Sequence, residues 1–326
     1  MSRRHPAGSL AAKAHPSGSL SSAAHPDGSL TSKAHPAGSL VTRVHPPKAG
    51  GAEEDGDSFA GYINEIDSLA AWWSPNAKEA GNLTDDAVAM TQLGPDTNPN
   101  LLAVVASTGN FRVVEDNIGT TESLTSAIES IQSDELNFVG IDSGTSQSTE
   151  LADCLEREGG VMSGFAFFKN AGDSFDSANY GNIFQWYGDS SSTTAQADTY
   201  LGLGFWKGSG SPTKGRVRMS LANSLTFTGG STMDQGEWYF IGWRQHATEG
   251  TTGSFIVYVV EVGEAWSTNE TITGDLTDAA KDGLTLGMGQ YGSPPKAWDG
   301  WRWGPIGFFT SDIDEDGLEA IFESIE

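Results

Sequence analysis

A hexapeptide returns every ten residues through the first forty of this chain. It runs His5-Pro6-Ala7-Gly8-Ser9-Leu10, then His15-Pro16-Ser17-Gly18-Ser19-Leu20. His25-Pro26-Asp27-Gly28-Ser29-Leu30 and His35-Pro36-Ala37-Gly38-Ser39-Leu40 follow, and a fifth copy starts at His45-Pro46 and stops at Pro47. Pro at the second and Gly at the fourth position of each copy is the chemistry of a type I turn, in which Pro presets φ and Gly closes. Each repeat offers one Leu and a few small residues for burial. Ordering a residue costs roughly 1–2 kcal/mol of backbone entropy, so a repeat this poor in apolar surface cannot hold its own fold. Residues 1–48 are therefore expected to be an arm that becomes ordered only against copies of itself or against a partner.

Charge divides the chain at the same place. The net charge is −25, from 43 acids and 18 bases. Residues 1–50 hold Arg3, Arg4, Lys13, Lys33, Arg43 and Lys48 against Asp27 alone, which leaves 42 acids and 12 bases, a net −30, to the rest. A body so acidic repels nucleic acid and anionic membrane surfaces, and the arm's charges are too sparse for a DNA-binding arm. The Lys-poor, acidic composition resembles that of proteins from salt-loving organisms, where screening confines repulsion to roughly 3 Å at 1 M salt. Cys154 stands alone, so no intrachain disulfide is expected. Arg3-Arg4 is not followed by an apolar run, so no signal peptide is read, and the longest apolar stretch, Phe255 to Val260, is far too short to span a membrane.

Residues 49–58 are an acidic, Gly-rich linker. Beyond it, 59–326 is read as one domain. Ser68 to Trp73 is an apolar opening strand, 74–100 is polar and loop-like, and strands are expected at 101–105, 110–114 and 136–141. Leu124, Ile128 and Ile131 recur at helical spacing, so a short helix is expected over 121–132. The second half is β throughout: 161–168, 183–187, 200–206, 216–221, 238–243, 255–260, 284–288 and 301–309 are aromatic or alternating runs separated by Gly-rich turns. The chain closes on a helix over 316–325, with Leu318, Ile321, Phe322 and Ile325 on one face.

Six of these segments carry a resemblance. Gly159 to Asn170 (GGVMSGFAFFKN), Gly236 to Trp243 (GEWYFIGW) and Phe255 to Val259 (FIVYV) resemble successive core strands of concanavalin A-like, laminin-G-like domains. Leu284 to Gly287, Trp298 to Phe309 (WDGWRWGPIGFF) and the ending Thr310 to Ser324 resemble the last strands and closing helix of that family, in the same order over roughly 59–326. The resemblance implies a mainly β fold, an antiparallel two-sheet jelly-roll sandwich with a short C-terminal helix. It also implies a domain that binds glycans or proteins, or in some members hydrolyses glycosides.

Hydrolases of this superfamily carry Glu-x-Asp-x-x-Glu on one strand; Glu65-Ile66-Asp67 begins that pattern, but Ser68-Leu69-Ala70 does not complete it, so no enzyme is expected. Glu237, beside Trp238, stands alone. Tyr291, Trp298, Trp301 and Trp303 cluster in sequence, with Trp301 and Trp303 on one strand face, and are the candidate sugar-stacking group against the plainer reading of core packing. Asp312, Asp314, Asp316 and Glu323 fit a calcium-loop spacing; the plainer and preferred reading is an acidic helix N-terminus capped by Ser311 or Asp312. Asn82 and Asn269 sit in N-glycosylation sequons. Five of the six His belong to the repeats, where a turn role is preferred over metal binding or a pH switch.

The plan of a repeat arm, an acidic joint and a terminal jelly roll is that of a virion appendage. The expectation is a homo-oligomeric surface protein of a halophilic virus, trimeric first and pentameric second. It would be made in the host cytoplasm and mounted on capsid or tail proteins through residues 1–48. Its jelly roll would bind a host surface glycan or glycoprotein.

Overall fold

A computed structural model describes residues 58–75, 81–94, 98–104, 111–119, 124–131, 138–140, 163–172, 180–187, 199–206, 214–221, 225–246, 252–267, 270–275, 285–289 and 300–325. The chain divides into a unit of Met1–Glu53 and a unit of Glu54–Glu326. The repeats, the linker and Cys154 lie outside the described residues. The second unit is mainly β, with antiparallel strands and a C-terminal helix, as the sequence implied.

Helix α1 (Phe59–Asn64) precedes β1 (Leu69–Pro75), β2 (Gly81–Asn82), β3 (Val88–Gln92), β4 (Leu101–Val104), β5 (Phe111–Glu115), β6 (Ser126–Ser130) and β7 (Phe138–Gly140). Then come β8 (Ser163–Asn170), β9 (Tyr180–Tyr187), β10 (Thr199–Trp206), β11 (Lys214–Leu221), β12 (Leu225–Asp234) and β13 (Trp238–His246). β14 (Thr252–Glu261), β15 (Glu270–Asp275), β16 (Thr285–Gly289), β17 (Trp301–Phe309) and α2 (Glu315–Glu323) complete the chain. One antiparallel ladder runs β12-β11-β10-β9-β16-β7-β4-β3-β1-β17-β8-β13-β14-β15 and curls until β12 meets β14 and β15. β17 is the branch point. Ile306 to Phe309 pair with β1, whereas Arg302 and Trp303 pair with β6, which leads through β5 to β2. Between the two stretches lies a bulge at Gly304-Pro305; Pro305 has no N–H to give a ladder, so a bulge is where it belongs.

The middle of this sheet is buried on both faces, which explains why β8 and β17 are apolar runs rather than alternations. On one face Phe168, Trp301, Trp303, Trp243, Phe308 and Trp73 pack edge-on or tilted, with ring centroids 5.0–6.3 Å apart. On the other, Phe165, Phe167, Phe240 and Phe309 lie under the two helices, together with Ile118 and Leu124. Phe59 of α1 meets Trp72, Phe165 and Phe167 at 5.7–5.8 Å, and Phe322 of α2 meets Phe240 at 5.8 Å. Two glycines make these approaches fit. A Cβ on Gly164 would sit 2.2 Å from the Trp243 ring and 2.6 Å from the Gly307 carbonyl oxygen, and one on Gly304 would sit 2.4 Å from Ile118.

Two expectations are corrected. The helix over 121–132 is not formed: Ser126–Ser130 is β6, inserted between β5 and β17. Ala127, Ile128, Glu129 and Ser130 are all buried, so both faces of the strand are covered and the spacing of Leu124, Ile128 and Ile131 reported no period. The loop-like 74–100 contains β2 and β3, and α1 lies ahead of the opening strand. The closing helix forms as Glu315–Glu323, starting one residue earlier and ending two residues earlier than expected. No helix among the described residues is long and apolar enough to cross a membrane.

Candidate functional site

β5, β6, β17 and β8 each contribute a charged side chain, Arg112, Glu129, Arg302 and Lys169, and strand register puts these side chains opposite one another. Arg112 faces Glu129, Glu129 faces Arg302, Arg302 faces Lys169, and Lys169 faces Trp238 of β13. They form a single rung across five strands, roughly 19 Å long at about 4.8 Å per strand. Because side chains alternate along a strand, this rung lies on the helix-covered face, opposite Trp301 and Trp303. Asp116, just past β5, joins it from above.

The contacts within the rung are charge-assisted throughout. Glu129 accepts from Arg112 Nε and Nη2 at 3.1–3.2 Å and from Arg302 Nη2 at 3.2 Å. Asp116 accepts from Arg302 Nη1 at 2.5 Å and from Lys169 Nζ at 3.2 Å. The Lys169 ammonium also stands 5.6 Å from the centre of the Trp238 ring. Burial alone pushes the Asp116 carboxyl up. The hydrogen bonds from Arg302 and Lys169 outweigh it, helped by the Trp238 indole N–H, which lies toward the same carboxylate without a full hydrogen bond. The result is a pKa below the usual 3.8. An Asp held this firmly ionised can orient or stabilise a cation but is unfit to donate a proton near neutrality.

The two signs are not equally deep. Side-chain exposure is 9% for Glu129 and 12% for Asp116, against 16% for Lys169, 22% for Arg302 and 43% for Arg112. With three cations and two carboxylates, the rung presents positive charge outward from a body that is strongly negative.

The residues singled out from sequence fall elsewhere. Trp301 and Trp303 are 2% exposed and packed against Phe168 and each other, so neither ring offers a face to a sugar, and they leave the stacking group as core residues. Tyr291 and Trp298 lie outside the described residues. Asp312 is gripped by Arg244, whose Nε and Nη2 donate to its oxygens at 2.8 and 2.5 Å. Asp314 caps α2, accepting from Gly317 N at 3.0 Å, and Asp316 and Glu323 are exposed at opposite ends of the helix. Among the described residues no three His, Cys, Asp or Glu side chains are gathered as metal ligands would be. The cap is Asp314, where Ser311 or Asp312 was expected. Glu65 and Asp67 are exposed in the turn between α1 and β1, Glu237 is exposed beside β13, and Asn82 is exposed on β2. Sequence reasoning passed over the rung. The signal was present, since Arg112, Lys169 and Arg302 are each a lone cation inside a hydrophobic strand, a place costly for a charge unless it is paired.

No protein-family model matches the chain, and no curated protein matches it. Among solved structures it is similar to a sialidase of Trypanosoma rangeli, at 11% identity and a TM-score of 0.46, over 86% of this chain and 35% of the sialidase. It is similar to domain 4 of a GH43 extracellular arabinanase from Geobacillus stearothermophilus, in complex with arabinotriose, at 10% identity and 0.44, over 78% of this chain and 98% of that domain. It is also similar to the receptor binding domain of botulinum neurotoxin mosaic serotype C/D, at 12% identity and 0.43, over 80% and 51%. The chain thus spans about a third of the sialidase it matches. The expectation that the chain is no enzyme is corrected here. A sialidase and a domain of an arabinanase stand among its structural neighbours, and an incomplete carboxylate motif on one strand does not exclude a pair drawn from different strands. No residue's role is carried over from these structures.

Proposed function

We propose that residues 59–326 form a carbohydrate-binding unit of a virion surface protein, carried on residues 1–48 as its mount. The observation that carries the binding half is the rung. A row of paired, oriented polar side chains crosses an apolar sheet and reaches solvent at Arg112, which is the composition of a site that fixes a polar ligand. The mounting half is supported by sequence: basic repeats at a constant interval precede an acidic body, and such repeats suit a homo-oligomer, trimeric or pentameric, in which each copy meets its symmetry mate. Multivalency would strengthen weak single sites. Tyr291 and Trp298 stay in the reading as the aromatic contribution.

The test is a glycan array probed with the full chain in molar salt, read both for retained protein and for released sugar. Retention is expected, and Trp298→Ala should weaken it about tenfold, the scale of one lost stacking contact. A silent array overturns the binding reading, and sugar release shows that the bound glycan is also hydrolysed. Light-scattering mass with and without residues 1–48 tests the mount: loss of the oligomer on truncation is expected, and an unchanged mass overturns the assembly role.

A further inference from the structure

We infer that the solvent end of the rung is a recognition site for the acidic group of a glycan, a carboxylate or a sulfate, with Arg112 as its principal contact. This rests on the carbohydrate-binding reading above and names the class of sugar it takes. A guanidinium has two forked edges. The Nε/Nη2 edge of Arg112 is occupied by Glu129. Among the described residues the Nη1/Nη2 edge makes no further hydrogen bond, and the side chain is 43% exposed. Glu129 is buried and is itself held by Arg302, so Arg112 is pinned from beneath while its side chain still reaches solvent. That is preorganisation: the side-chain entropy that a free surface Arg would lose on binding is already lost in the fold.

The arithmetic of the rung selects an anion. If it served only to satisfy buried carboxylates, two cations would neutralise Asp116 and Glu129, and Arg302 and Lys169 already contact Asp116 while Arg302 also reaches Glu129. Arg112 is the additional charge, the most exposed of the three, and its free edge matches the two oxygens of a carboxylate or sulfate. Nor does long-range attraction account for it. The body around it is net −30 beyond residue 50 and would repel an anion at low salt, so any preference for acidic sugars must come from short-range contact.

The experiment measures binding of the full chain to polygalacturonate, a sulfated dextran and neutral dextran in about 1 M salt, where charge reaches only roughly 3 Å. Arg112→Gln and Arg112→Lys are compared with the unaltered chain, and melting temperature is recorded for each. The expected result is binding to one or both acidic polymers at least about tenfold tighter than to neutral dextran, lost in Arg112→Gln and not restored by Arg112→Lys, which keeps the charge but not the fork. The two acidic polymers tell carboxylate from sulfate. Equal binding to neutral and acidic polymers overturns this inference and leaves the carbohydrate reading standing. No binding to any polymer, together with a silent array, overturns both. If Arg112→Gln lowers the melting temperature while the acidic preference persists, Arg112 is only structural and the inference fails.

Discussion

Asp116 is the residue on which the rung's electrostatics turn. Its two oxygens receive Arg302 and Lys169, and its pKa in the fold lies below 3.8. A carboxylate whose pKa falls on folding stabilises the fold while ionised. That contribution is complete above the unfolded value and disappears as pH drops through the folded one. Asp116→Asn should therefore cost about 3 kcal/mol near neutrality, since it leaves Arg302 and Lys169 facing a neutral amide. The gap to the unaltered chain should close as pH falls below 3.8. Urea melts across that range check it, and a gap independent of pH would mean that the carboxylate's charge contributes nothing. The same residues show what a sequence discloses at this scale. That Trp301, Arg302 and Trp303 alternate was legible, because strand geometry forces it. Which face was wet was not, because the tryptophans are buried and Arg302 is only partly exposed. The conspicuous tryptophans proved to be packing, and the arginine between them belongs to the candidate site.

Elements were most legible where a single segment carried its own signal. The strands with aromatic runs bounded by glycines are formed as read, and the closing helix buries Leu318, Ile321 and Phe322 as expected but ends at Glu323. β6 was misread because its environment, not its own pattern, makes it a strand: β5 and β17 supply ladders on either side and both faces are covered. The acidic stretch before α2 shows two element-level readings in competition. A calcium loop needs Asp312, Asp314 and Asp316 to converge. In the structure Asp312 turns to Arg244, while Asp314 turns to the backbone of Gly317. Glu315 and Asp316 occupy the first turn, where the helix dipole favours acids, and Glu315 also accepts from Trp266 Nε1 at 3.2 Å. Asp314→Ala should lower stability by about 1 kcal/mol, the usual worth of an N-cap, and Asp314→Asn by only a few tenths, since Asn caps equally well. Thermal melts of the pair decide between capping and a need for charge. Equal losses would show that the carboxylate acts as an anion and not as a cap.

At the scale of the whole molecule the dominant fact is the imbalance of charge, and it makes a prediction that no single contact makes. The residues beyond position 50 carry a net charge of −30. Compacting so many like charges is unfavourable when they see one another across a Debye length of about 10 Å at 0.1 M salt, and much less so at about 3 Å in 1 M. The ion pairs of the rung pull the other way, but they are largely shielded from solvent and lose little to added salt. Repulsion should therefore win, and the melting temperature should rise with potassium chloride. A gain of about 2 kcal/mol between 0.1 and 1 M would appear as roughly 4–8 °C for a unit of this size. The salt matters to the test: sulfate strengthens apolar burial in any protein, whereas the chloride effect attributed here is electrostatic. Its rise should be steep at low ionic strength and flatten as the Debye length falls below the spacing of surface charges. A chain lacking residues 1–48 sharpens the measurement, because it loses the arm's positive charge and should gain more from salt than the full chain. A melting temperature that stays level or falls as chloride is added would place the acidity outside the energetics of folding.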